Sequence, residues 1–300
     1  MSVILIFYLT FICFIFFDIF LFFLRQDLDC RQVLQHKGVN CIKHDRVIFS
    51  KSWGQRPYFY TMMNKRIYFG LVRFPIVAIS IFFICFLLAA LLFPGSEIEH
   101  LNFKSDMYSL THNFLSGLGG LQTTSGEINT ASSILFNGSL VLVGTTLVLF
   151  YMRFKDIFTA LGDSEKSIKF ARFSQPVGLV AGVLFAGVGI VPYDLHFAAH
   201  VFFANYAFLV LFILCILHSL TVYHSKFMSN RYALGYMLFC IVLLVYLYII
   251  FLGPSIGPNT QYSEMDLMLQ VISQKTIVLS LILSILIQVY GFHGLFKKVN

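Results

Sequence analysis

The chain reads as an all-α integral membrane helical bundle of seven transmembrane helices, one extra N-terminal helix followed by a six-helix core. Its N-terminus is expected outside and its C-terminus in the cytoplasm. Three observations predict this. Of the 300 residues, 58% are hydrophobic and 12% charged, with a mean hydropathy of +0.81. A water-soluble fold of this length would be left with more apolar surface than one core hides. Seven apolar runs follow one another, at residues 3–24, 71–93, 133–152, 177–191, 197–222, 232–252 and 276–296. Most reach the ~20 helical residues that a hydrocarbon core of ~30 Å requires. Finally, eighteen of the 21 lysines and arginines lie in alternate gaps between these runs or after the last one, with Arg73 just inside the second run, and cationic loops resist translocation, so those gaps are cytoplasmic.

The first run, residues 1–24 with the N-terminus, has no positive leader and carries its basic flank on the wrong side for secretion, so it reads as a retained helix. Asp18 within it is costly in lipid and is expected to face the bundle. Residues 25–70 form a basic-aromatic cytoplasmic loop. Trp53, Tyr58, Phe59 and Tyr60 alternate there with Arg56, Lys65 and Arg66, a pattern that lies on an anionic lipid surface. Cys30, His36, Cys41 and His44 in the same loop have zinc-ligating chemistry but lack the short Cys-x-x-Cys knuckle.

Residues 71–300 make the six-helix core. Its first gap holds Glu97, Glu99, Asp106 and Glu127 against Lys104 alone, and is external. The next gap holds Arg153, Lys155, Lys166, Lys169 and Arg172, and is cytoplasmic. The run after Val177 is short, with Pro192 and Tyr193 extending it, and its Gly178, Gly182 and Ala186 share one helix face suited to close approach. Asp194 is placed to cap the following helix. Lys226 and Arg231 mark the next inner gap, Pro254, Gly257 and Pro258 an outer turn, and Lys297 and Lys298 the inner end.

Function is less sharply written. There is no Walker A loop, dinucleotide fingerprint or nucleophile elbow. The net charge of +7 is spread over membrane-facing loops, which argues against nucleic acid and for membrane lipid as the partner. An outer polar constellation remains: His112, Asn113, Glu127, Asn129, Asp194 and His200. These are the candidate ligand-binding residues. His200 lies inside the apolar boundary, where its ring requires a partner such as Asn129 or Glu127. Asp194, His196 and His200 form an alternative zinc set, with the two histidines at i, i+4. His218 and His293 are a remote haem pair. No cofactor is expected.

The block 112–119, followed by 126–130 and 133–137, resembles the first outer loop and next helix of the Frag/DRAM/Sfk-type membrane proteins and their uncharacterised bacterial relatives. The block 187–194, with His200 and Ala204 beyond it, is similar to that family's Gly-rich helix, short turn and histidine-led helix. The resemblance covers residues 70–296, and Gly117 stands where relatives often carry Asp. It implies a six-helix core and a role in lipid organisation, lipid-anchor remodelling or autophagy at membranes. Three functions follow as expectations. The chain binds, senses or organises lipid; it is an intramembrane metal-dependent lipid hydrolase; or it is a structural subunit among membrane-protein partners.

Overall fold

The computed structural model describes residues 65–258 and 260–299. The first apolar run with Asp18, the Cys30, His36, Cys41 and His44 quartet, and most of the basic-aromatic loop lie outside the described residues. Within them stand six helices long and apolar enough to cross a membrane. They are α1 (Lys65–Leu92), α2 (Thr130–Ala160), α3 (Glu165–Ile190), α4 (Phe197–Tyr223), α5 (Asn230–Leu252) and α6 (Glu264–Val299). The shortest, α5, has 23 residues, ~35 Å of helix at 1.5 Å per residue.

Each helix lies against the next in sequence, and α1 touches α6, so the bundle closes. One end is rich in connecting structure: residues 93–129, 191–196 and 253–263. It includes a small antiparallel hairpin, β1 (Ser96–Ile98) and β2 (Phe103–Ser105), and a 3-10 turn at Leu115–Gly119. Among the described residues the opposite end has the short links 161–164 and 224–229. Asp163 joins these two links: its carboxylate accepts from Ser164 N and Lys226 N, each at 2.7 Å, and from the Ser225 hydroxyl.

Two helix starts differ from the hydropathy reading, for the same physical reason. The fourth run is extended backwards to Glu165 rather than forwards to Tyr193. Ser164 caps it by accepting from Ser167 N at 3.1 Å, Glu165 suits the positive first turn, and Lys166, Lys169 and Arg172 reach water along their stems. Likewise α1 runs back past Leu71 to Lys65 through a π-helical stretch at Phe69–Arg73, with Ile67, Leu71 and Val72 buried. Residues 65–70 are therefore helix and not loop. Charged residues in a helix's first turns dilute hydropathy without stopping the helix.

The small-residue face of α3 meets α2 as its spacing implies. A Cβ on Gly178 would lie 2.3 Å from the Tyr151 ring, and one on Gly182 would lie 2.6 Å from the Gly144 carbonyl oxygen. Burial is uneven among the spans. The most apolar window of α1 is 22% buried, whereas that of α6 is 61% buried. Sequence explains the contrast: α1 presents Ile84, Leu87 and Leu91 outward. By contrast α6 carries Gln270, Ser273, Ser280, Ser284 and Gln288 inside, where polar groups find partners.

Candidate functional site

Below the loop-rich end, α1, α2, α4 and α6, with two residues of α3, enclose a partly open cavity. All empty space within its bounds, the open solvent at its mouth included, comes to about 950 Å³. Phe82, Phe136, Phe185, Phe208 and Ile282 are typical of its wall. Among the described residues four polar side chains line it, Ser116, Thr146, His200 and Gln274, and no charged one does. Thr146 turns its hydroxyl back to Leu142 O at 2.7 Å. The other three sit at the loop-rich end.

The 3-10 turn forms the roof, and three elements hold it. From α6, Gln274 Oε1 accepts from Leu115 N at 2.7 Å. At and within the start of α2, Asn129 donates to Leu118 O and Gly120 O, Ser132 to Leu118 O, and Ser133 and Asn137 to Gly119 O. From the turn between α3 and α4, Asp194 Oδ2 accepts from Leu121 N at 2.8 Å and Gln122 N at 3.0 Å. Gly119 and Gly120 fit because a Cβ would strike Asn137 and the Tyr193 ring. Outside the roof, Tyr193 has its hydroxyl pKa pushed up to about 12 by burial and by the Asp194 carboxylate. Burial likewise raises Tyr108, whose ring underlies the Lys275 ammonium at 5.3 Å.

The six sequence-predicted ligand residues thus divide. Only His200 lines the cavity. Its Nδ1 lies 2.7 Å from Val191 O, so the ring's partner is a backbone carbonyl rather than Asn129 or Glu127. Asn129 and Asp194 build the roof. Asn113 organises the flanking loop, donating to Ser96 Oγ and accepting from Ser109 N, each at 2.7 Å. His112 pairs with Glu264 at 3.1 Å on the surface and stacks on Phe103. Glu127 is exposed, and its backbone oxygen accepts from Thr123 N.

Asp194 is not the cap of α4. His196 is, its Nδ1 accepting from Ala199 N at 3.2 Å, because the helix begins at Phe197 and puts residue 196 at the N-cap. Asp194, His196 and His200 accordingly serve separate backbone partners, two for Asp194 and one for each histidine. Among the described residues no group of three His, Cys, Asp or Glu side chains gathers to hold a metal ion.

Deeper in the bundle lies a second polar group that the sequence did not single out as a unit. His218 is fully buried, with Nδ1 3.0 Å from the Tyr151 hydroxyl and Nε2 3.1 Å from Gln288 Oε1. Gln288 Oε1 only accepts, so Nε2 carries the proton and Tyr151 donates to Nδ1. The Tyr236 hydroxyl lies 3.3 Å from that of Tyr151, and Gln288 Nε2 donates to Tyr232 O at 2.9 Å. Both His218 nitrogens are engaged and His293 Nδ1 meets the Tyr68 hydroxyl, which removes the haem pairing. Thr146, Leu147 and Ile285 line both this site and the cavity above.

Ser116, Thr146 and Gln274 line the cavity but are not among the six sequence-predicted residues, and of the three Gln274 is the one legible in the sequence. Its signal was present: Gln270, Gln274 and Gln288 recur at four and fourteen residues along an apolar helix, which keeps them near one face. Comparison of the chain with protein-family models, with curated proteins and with solved structures returns no match.

Proposed function

We propose that this integral membrane protein holds the apolar part of a membrane lipid inside its bundle, with the lipid's polar end at the roof. The observation that carries this reading is the distribution of polarity in the cavity: a long apolar wall, with His200, Ser116 and Gln274 together at one end. Pockets of this kind fix a ligand's orientation by a few polar groups and accept its bulk by shape. The seven-span count, an external loop-rich end and membership of the Frag/DRAM/Sfk-type proteins belong to the same reading. The charge distribution supports the orientation. Glu97, Glu99, Asp106, Glu127, Glu264 and Asp266 lie towards the loop-rich end. Arg153, Lys155, Lys166, Lys169, Arg172, Lys226 and Arg231 lie towards the other.

A lipid tail leaving the bilayer for this cavity exchanges one apolar surrounding for another, so tail burial contributes little net affinity. The site is suited to holding and presenting a lipid that exchanges with the membrane. Purified protein, taken through native mass spectrometry, should carry lipid that Ala204→Trp removes, since Ala204 lines the wall and the indole fills the space. Retention of the same lipid by the filled variant would refute the reading.

A further inference from the structure

We infer that the cavity selects an uncharged lipid with a free hydroxyl over phospholipids, an inference that rests on the lipid-holding reading above. The argument starts from charge. Among the described residues no lysine, arginine or carboxylate lines the cavity. The nearest cation in sequence, Lys275, donates instead to Asn113 O at 2.5 Å and lies over the Tyr108 ring. A phosphate drawn under the roof would lose its hydration with no counter-charge to replace it.

Hydrogen-bonding capacity then narrows the headgroup. Val191 O can only accept, so the His200 Nδ1 opposite it carries a proton. Among the described residues no carboxylate lines the cavity to hold the ring as an imidazolium, and the neutral ring keeps its Nε2 lone pair as an acceptor. Gln274 spends its Oε1 on Leu115 N, leaving its amide N–H groups as donors. Ser116 serves either way. One acceptor beside donors is the complement of a hydroxyl, which donates one hydrogen bond and accepts others. Discrimination must come from this end, because every membrane lipid brings an equivalent tail.

The test uses the full chain in nanodiscs and three probes carrying a photoreactive group in the acyl chain: a diacylglycerol, its O-methyl ether and a phosphatidic acid. The diacylglycerol should label wall residues such as Phe82 and Ile282, the ether at least about tenfold less, as expected of a site built to bind a hydroxyl, and the phosphatidic acid least. Ala204→Trp should abolish wall labelling by the diacylglycerol. Equal wall labelling by phosphatidic acid or by the ether would overturn the hydroxyl selection while leaving a lipid-holding cavity. Absence of wall labelling by all three probes would overturn both.

Discussion

Replacing His218 with phenylalanine isolates what the deep polar group contributes. The substitution keeps an aromatic ring in the tilted contacts that His218 makes with Phe154, at 4.4 Å between centroids, and with Tyr236, at 4.3 Å. It removes both ring nitrogens. Tyr151 retains Tyr236 as a partner, so its loss is one hydrogen bond, worth on average ~0.6 kcal/mol in a membrane interior. Gln288, 1% exposed, is left with a buried Oε1 and no replacement in reach of the same geometry. Orphaning such an acceptor costs ~1–3 kcal/mol. Together the variant should lose about 2–4 kcal/mol of stability, read as the shift in an unfolding transition in mild detergent. Adding Gln288→Leu should restore part of that loss, since a pair removed together leaves nothing unpaired. A single variant within ~0.5 kcal/mol of the parent, or a double variant with fully additive loss, would refute the account.

Three further outcomes follow from the same structure. Gly178→Ala should destabilise by ~1–3 kcal/mol despite alanine's better helix propensity, because its methyl enters the Tyr151 ring position; a melting curve equal to the parent's would contradict the close α2–α3 contact. Asp194→Ala should leave Leu121 N and Gln122 N without their acceptor and raise hydrogen exchange at those two amides, and unchanged protection there would argue against the roof anchor. Single cysteines at Ser105 and Ser263 should label from one face of the membrane and those at Ser164 and Ser225 from the other. Labelling of Ser164 and Ser263 from the same face would break the alternation.

Helix number in the core was legible because six long apolar runs leave no soluble alternative, and the small-residue face of α3 was legible because steric fit depends on size alone. Helix starts were less so. Lys166, Lys169 and Arg172 depress hydropathy just where a helix leaves the membrane, and only the cap at Ser164 marks the true beginning. The candidate site was half legible. Clustering of His112, Asn113, Glu127, Asn129, Asp194 and His200 at one end followed from topology, but sequence cannot say which polar side chains spend themselves on backbone. Asp194 illustrates it: as a cap it would have served its own helix, yet it serves a loop some seventy residues earlier. Gln274 and the His218, Tyr151 and Gln288 group depend on which faces of separate helices converge.

Asp163 has a mechanical consequence. Because one carboxylate takes hydrogen bonds from both short links, the α2–α3 hairpin and the α4–α5 hairpin are riveted together at the basic end. Sliding one against the other there breaks bonds to Lys226 and Ser225 at once. The chain itself already joins the same two hairpins at the loop-rich end through the 191–196 turn, so the carboxylate adds a second tie at the far end and the two hairpins are fastened to each other at both ends.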